Sequence, residues 1–213
     1  AIMLRSHNMH DMDIPDTVAC VGRAGAGTNN IPCDELAHRG IPVFNAPGAN
    51  ANAVKELAIA GMLLGARNIT QSSEYVRALT ETGDALKKAV EAGKKQFVGF
   101  ELPGKTLGVI GLGAIGVEVA NAALDLGMKV VGYDPAITVR NAWQLSPGVE
   151  QEETLDQLFM HADFVSCHVP LIDATRKIVN ADRIALMNEG SVLINFARGG
   201  VVDDEAAIAA RVG

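Results

Sequence analysis

The chain has 213 residues, 48% apolar and 20% charged, with a formal net charge of −7. That length allows one large domain or parts of two, with a sizeable core that needs no crosslinks. The acidic balance, without a basic cluster or interleaved aromatics, argues against a nucleic-acid partner, and no apolar run approaches the roughly 18 residues of a membrane span. Charged content below the roughly 25% of typical domains points to extensive buried or oligomeric surface. No signal peptide is evident. Cys20, Cys33 and Cys167 are odd in number and widely spaced. They read as reduced thiols of a cytoplasmic protein, not as disulfides or metal ligands.

Ala1–Leu4 reads as a strand with Arg5-Ser6-His7 at its exit, and Thr17–Val21 as a second, followed by Gly22-Arg23-Ala24-Gly25-Ala26-Gly27. Arginine, serine and glycine at two strand exits suit an anion held by guanidinium and backbone N–H groups. Two ordinary loops with surface arginines fit equally well. Pro32–Arg39 is predicted as a short helix stopped by Gly40, and Ile41–Phe44 as a third strand. Asn45–Asn52 is turn-like. Ala53–Arg67 has helical spacing of Val54, Leu57, Ala58, Met62 and Leu63/Leu64, with Asn50 or Asn52 as cap. Its small residues Ala58, Ala60, Gly61 and Gly65 permit close packing on another element. Ser73–Ala92 is a more polar helix, with a break expected at Gly83. The lysines near its end (Lys87, Lys88, Lys94, Lys95) read as a solvated helix end. Gly93–Gly104 crosses into the next domain.

Thr106–Asp134 is the most informative stretch. Leu107, Val109 and Ile110 form a buried-strand run, and Gly111-Leu112-Gly113-Ala114-Ile115-Gly116 is a G-x-G-x-x-G turn. A helical pattern ends at Gly127, and Val130-Val131 leads to Tyr133-Asp134. Gly111 suits the tight turn, Gly113 the close approach of a pyrophosphate, and Gly116 tight packing of the helix on the sheet. The helix N-terminus offers free N–H groups and the positive end of its dipole. Asp134, 18 residues beyond Gly116, can accept from a ribose diol and would repel a 2′-phosphate, so NAD is favoured over NADP.

Downstream, an irregular stretch carries the single Trp143. Thr154-x-x-Gln157 is a capping box for a helix Leu155–Met160. Asp163–His168 is a strand ending in His168-Val169-Pro170, Ala181–Met187 a helix, and Ser191–Phe196 a strand ending in Asn195-Phe196-Ala197-Arg198-Gly199-Gly200. Asp203 caps a last helix running to Val212. Four strands alternating with helices from Thr106 onward predict an α/β fold with a doubly wound parallel sheet. Gly111, Asp134, His168 and Arg198 all lie at strand ends and are expected to line one cleft. Arg198, beside two glycines, suits a cation for a carboxylate or developing oxyanion, unless it pairs with an acid such as Asp203. His168 is placed as a wall of the cofactor site in preference to a general base.

These motifs resemble the D-2-hydroxyacid dehydrogenase family over nearly the whole chain. The specific segments are Gly22–Asn30 (GRAGAGTNN), Phe44–Leu57 (FNAPGANANAVKEL), Gly104–Gly116 (GKTLGVIGLGAIG), Gly132–Pro135 (GYDP), His168–Leu171 (HVPL) and Asn195–Gly200 (NFARGG). The resemblance implies a Rossmann-type NAD domain over 99–213. It also implies a smaller, incomplete flavodoxin-like α/β substrate domain over 1–98, whose helices help form a homodimer or higher homo-oligomer. It implies Arg198 as the catalytic arginine, and Arg5, Ser6, Arg23 and Gly25 as substrate-binding. Cofactor contacts would come from Ala26, Gly111, Gly113, Ala114, Ile115, Gly116, Asp134, His168, Val169, Pro170, Phe196, Ala197 and Arg198.

Within the family, Phe44 and Ala46–Asn50 favour 3-phosphoglycerate over other 2-hydroxy acids. The reaction would be NAD-dependent oxidation to 3-phosphohydroxypyruvate, the first step of serine biosynthesis. A glyoxylate- or lactate-type sibling, or an NAD(H)-sensing corepressor-like binding protein on the same fold, are the alternatives. The family's catalytic histidine and its carboxylate partner lie beyond the arginine, past Gly213. The expectation is therefore a stretch of a longer enzyme that alone transfers hydride very weakly.

Overall fold

The computed structural model describes residues 1–210. Two compact units emerge, Ala1–Ala53 and Val54–Gly213. The first is a three-stranded parallel sheet of β1 (Ile2–Leu4), β2 (Val21–Arg23) and β3 (Val43–Asn45) in that order, with α1 (Cys33–His38) between β2 and β3. Met9, Ile14, Val21, Ile31, Leu36 and Ile41 form its core. The second strand differs from the expected Thr17–Val21. Val18 N–H donates to Pro15 C=O (3.0 Å), which turns the chain just before it, and the ladder pairs Ile2–Leu4 with Val21–Arg23. Gly22 and Arg23 therefore belong to the strand itself.

α2 (Ala51–Arg67) begins two residues earlier than expected, which puts Asn52 inside its first turn and leaves Asn50 as the residue before it. α3 (Ile69–Ala78) and α4 (Gly83–Gly93) replace the single helix of Ser73–Ala92. Asn68, left-handed at φ 49°, separates α2 from α3, and Leu79 turns extended after Ala78. The predicted break falls at Leu79–Thr82, immediately before Gly83. Lys87 and Lys94 pair with Asp84 and Glu91 on the exposed surface.

The larger sheet is built from β4 (Thr106–Ile110), β5 (Lys129–Tyr133), β6 (Val149–Gln151), β7 (Phe164–Cys167) and β8 (Val192–Asn195). All pairs are parallel, in the order β6-β5-β4-β7-β8. It has five strands where four were expected. The stretch read as irregular holds α6 (Val139–Gln144) and the edge strand β6. Asn121 fixes that crossover, donating to Gln144 C=O and accepting from Ser146 N–H, both at 2.8 Å. β6 is three residues of mixed character (VEQ), too short for periodicity to mark.

α5 (Ala114–Asp125) and α2 cover one face of this sheet. Val117, Val119, Ala120 and Ala123 of α5 and Ala58, Met62 and Ala66 of α2 join Leu107, Val109, Phe164 and Ile194 in one core. The partner of the small-residue face of α2 is β8 and its exit. A Cβ on Gly61 would lie 3.0 Å from the Phe196 ring, and one on Gly65 would lie 3.1 Å from Val192. α7 (Leu155–His161) covers the opposite face, where Leu155, Leu158 and Phe159 pack with Ile110, Val131 and Val165. Parallel strands buried on both faces explain the nearly continuous apolar runs of β4 and β7. α8 (Ala181–Ile184) is shorter than predicted, and α9 (Asp204–Ala209) starts at its Asp203 cap. The predicted helix end at Val212 lies outside the described residues.

The capping box at α7 is present on both sides. Thr154 Oγ1 accepts from Gln157 N–H (3.2 Å), and Gln157 Oε1 accepts from Thr154 N–H (3.1 Å). Thr154→Ala is expected to cost about 1 kcal/mol, a fall in Tm of about 2–4 °C for a chain of this size. A melting curve superimposable on the parent's would refute the cap's contribution. Among the described residues no helix is long and apolar enough to cross a membrane.

Candidate functional site: a dinucleotide cleft

In the strand order β6-β5-β4-β7-β8, successive strands run outward in opposite directions from β4, so β4 and β7 flank a topological switch point. Gly111–Gly116 leaves the C-terminal end of β4 there. Gly111 has φ 91°, and a Cβ on it would lie 2.7 Å from Val169 Cγ1 and 2.9 Å from His168 C=O. No other residue suits both that conformation and that closeness. A Cβ on Gly116 would fall 1.9 Å from Gly111 C=O, so the first turn of α5 lies directly on the loop.

Gly113 differs. It is the residue before α5, its φ is −72°, and a Cβ there would meet nothing within 4 Å. Neither backbone conformation nor packing inside the chain requires glycine at this point. No side chain caps α5, so its first N–H groups face the same open space. An open cradle above an uncapped helix N-terminus fits a pyrophosphate.

Asp134, at the end of β5, accepts from Leu112 N–H (2.8 Å) through Oδ2 and from Ala136 N–H (2.9 Å) through Oδ1. Its carboxylate ties the glycine loop to the β5 exit. An ionised carboxylate has about four acceptor sites, so about two remain for further donors. Sequence reasoning missed the tie because Leu112 lies 22 residues away.

His168 continues the β7 ladder, its N–H donating to Ile110 C=O (2.8 Å). Its Nε2 pairs with Ser166 Oγ (2.8 Å), and Nδ1 is buried without a partner. Burial lowers its pKa to about 4, so the ring is neutral at physiological pH. Ser166 had not been singled out, although its i, i+2 spacing to His168 on a strand was the available signal. Burial also pushes the Cys167 thiol up to about 12, which leaves it unreactive.

Arg198 follows β8 at the start of a short 3-10 turn over Gly199–Val201. Its backbone C=O accepts from Asn195 Nδ2 (2.8 Å), and its exposed guanidinium donates to Ala197 C=O (2.7 Å). Asp203, the acid that could have neutralised it, is bonded to Lys177 at 3.0 Å. The ammonium of Lys177 holds the Asp203 carboxyl below its usual range. Among the described residues no carboxylate pairs with Arg198. Phe196, Ala197 and Arg198 line an open depression with Leu193, Asn195 and Val202.

In the first unit, Arg5 and Ser6 leave β1, and Arg23 ends β2. The Arg23 guanidinium lies over Gly25 (φ 140°), at 2.0 Å from where a Cβ would sit, and its Nε is buried without a partner. Gly25 C=O accepts from Ala46 N–H, and Ala26 C=O from Asn45 Nδ2 at 2.7 Å. These bonds hold the β2 and β3 exits together.

The sheet order, the glycine turn onto an uncapped helix and the acid at the next strand's end define a nucleotide-binding domain of the Rossmann type. The sequence profile described as "D-isomer specific 2-hydroxyacid dehydrogenase, NAD binding domain" matches residues 59–211. The chain belongs to that family, and its dinucleotide is NAD. It is 42% identical over 186 residues to the D-3-phosphoglycerate dehydrogenase of Methanocaldococcus jannaschii, covering 87% of this chain and 33% of that one. It is 44% identical over 186 residues to the hydroxypyruvate reductase of Thermotoga maritima, covering 87% and 55%. The structure of D-mandelate dehydrogenase from Rhodotorula graminis superposes with a TM-score of 0.78 at 32% identity, covering 92% of this chain and 56% of that one. The chain thus spans about a third to just over half the length of these relatives.

Proposed function

We propose that the chain acts in NAD-dependent oxidation of 3-phosphoglycerate to 3-phosphohydroxypyruvate, the entry step of serine biosynthesis. The observation that carries the cofactor half is the open, uncapped α5 N-terminus at Gly113, with Asp134 beside it. The substrate half rests on Arg23, whose Nε–H is buried without a partner at the end of β2, in register with Leu4, the residue before Arg5. A buried, unanswered guanidinium N–H suits a phosphate or carboxylate. Relatives named D-3-phosphoglycerate dehydrogenase, from Methanocaldococcus jannaschii and from Synechocystis at 38% identity, support the same acid.

In this reading bound NAD supplies the hydride acceptor for C2 of the acid. The α5 N–H groups take the pyrophosphate, Asp134 takes a ribose diol, and Val169, Pro170, Phe196 and Ala197 form the apolar wall. Arg198 orients the acid and stabilises the developing carbonyl oxygen. The hydroxyl proton passes to a base other than His168, whose Nε2 is held by Ser166 and whose Nδ1 is buried. Residues 1–98 serve the substrate side and 99–213 the cofactor side, a functional division separate from the packing division at 53/54. Exposed Leu57 and Leu64 of α2 and Ile69 and Val76 of α3 support a homodimer. The three free thiols support a cytoplasmic location.

The second reading, a reductase for an unphosphorylated 2-oxo acid, is favoured by the Thermotoga maritima relative. The test uses the full-length enzyme and follows NADH absorbance with 3-phosphohydroxypyruvate, hydroxypyruvate, pyruvate and glyoxylate. Selective turnover of the phosphorylated acid supports the first reading, and turnover of the others alone moves the chain to the second. Arg198→Ala is expected to lower kcat/KM by about 10²–10³-fold, the usual scale for a lost oxyanion-stabilising donor. Arg198→Lys should recover only part of it, since an ammonium lacks the bidentate fork. Steady-state kinetics that leave Arg198→Ala unimpaired would remove it from the reaction.

A further inference from the structure

We propose that Ser166 is a positioning residue of the cofactor cleft, whose hydroxyl holds the His168 ring and through it seats the β7 exit, His168–Pro170, against the glycine turn. The proposal rests on the reading of this cleft as an NAD site. Among the described residues Ser166 is the one buried polar residue, at 1% exposure. A buried hydroxyl is costly unless bonded, and its partner is His168 Nε2 at 2.8 Å. The two side chains stand on the same face of β7, two residues apart, while Cys167 between them enters the opposite core.

His168 touches the site through its backbone. Its N–H continues the ladder to Ile110, and its C=O and the following Val169 side chain lie against Gly111 at distances only a glycine permits. A shift of this exit is therefore a shift of the loop that presents Gly113. The ring that fixes the exit has one polar anchor, because Nδ1 is buried and unpartnered. A neutral imidazole carries one N–H and one bare nitrogen. Without the Ser166 hydroxyl, neither would have a partner in a buried position. The ring would then relieve that cost by turning toward water, and the exit would follow it away from Gly111. A serine that only filled space would leave the ring where it is.

The test compares Ser166→Ala and Ser166→Thr with the parent in the full chain. NADH binding is followed by fluorescence titration, the His168 imidazole by NMR, and folding by thermal melt. Ser166→Ala is expected to bind NADH about fivefold more weakly, the scale of one net hydrogen bond. Its His168 ring should titrate near the usual value of about 6.5, and Ser166→Thr should restore both properties. NADH affinity within about twofold of the parent, with unmoved His168 signals, overturns the proposal. If Ser166→Ala does not fold, Ser166→Cys keeps the volume without the strong hydroxyl, and parent-like affinity in that variant overturns it equally. A parent chain that binds no NADH sinks the cofactor reading itself, and the His168 signals then still decide whether the hydroxyl holds the ring.

Discussion

Gly113→Val is expected to leave the chain folded and to remove most of its NADH binding. The first half follows from the empty space around this residue: an added Cβ meets no atom within 4 Å, and φ −72° is ordinary for any residue. The second half follows from what the space is for. A pyrophosphate must reach the first N–H groups of α5, and an isopropyl group at the residue before the helix stands in its path. Affinity is expected to fall by about 100-fold or more, equivalent to about 3 kcal/mol, with Tm within about 2 °C of the parent. Gly116→Ala supplies the contrast. Its single methyl lands 1.9 Å from Gly111 C=O, on backbone that cannot rotate away. The cost is expected at about 3 kcal/mol or more, visible as a fall in Tm whether or not NADH is present. Fluorescence titration and thermal melts of the two variants give opposite patterns if the assignment holds. A Gly113→Val chain that binds NADH like the parent would falsify it.

Asp134→Ala is expected to lose NADH binding without becoming an NADP binder. Removing the charge lifts the repulsion of a 2′-phosphate, and on that ground alone the preference would shift. The same carboxylate, however, is the acceptor for Leu112 N–H in the glycine loop and for Ala136 N–H at the β5 exit. Leu112 is buried, so its orphaned N–H costs about 1–3 kcal/mol. The loop that both cofactors need loosens with it. Tm is expected to fall by about 3–8 °C, and affinity for NADH and NADPH alike to stay at least about tenfold below the parent's for NADH. Asp134→Asn, which keeps one acceptor oxygen, should fall between. An Asp134→Ala chain with unchanged Tm and tight NADPH binding would show that the carboxylate only discriminates and does not brace.

The most legible part of the molecule was Thr106–Asp134. Its strand, turn, helix, strand and acid succeed one another within 29 residues. Each step is a local event with its own signature: an apolar run, three spaced glycines, a helical period, a carboxylate. The Thr154–Gln157 box and the Asp203 cap were legible for the same reason, since the bonds they make span three residues. The parallel sheet followed from alternation of strands and helices, and the exits of β4, β5, β7 and β8 placed the candidate residues along one edge.

Errors arose where partners come from far along the chain. Thr17–Val21 has strand composition, yet the strand is Val21–Arg23, because register belongs to Ile2–Leu4 and Val43–Asn45 on either side. β6 exists because Val130 pairs with Val149 and because Asn121 pins the crossover, and three residues of its own could not announce it. Arg198 lies five residues from Asp203 in sequence, but Lys177 takes that carboxylate from 26 residues away. The sequence by itself determined the longer, locally patterned elements, the nucleotide turn and the charge beside it, since these depend on side chains and backbone within a few residues. Only the tertiary structure decided which groups are already spoken for: Asp134 by the loop, Asp203 by Lys177, His168 by Ser166, while Gly113 stays open and Arg198 has no carboxylate partner among the described residues. Hydrogen-bond partnership and burial depend on distance in space, and a linear pattern encodes that distance only where the chain is its own neighbour.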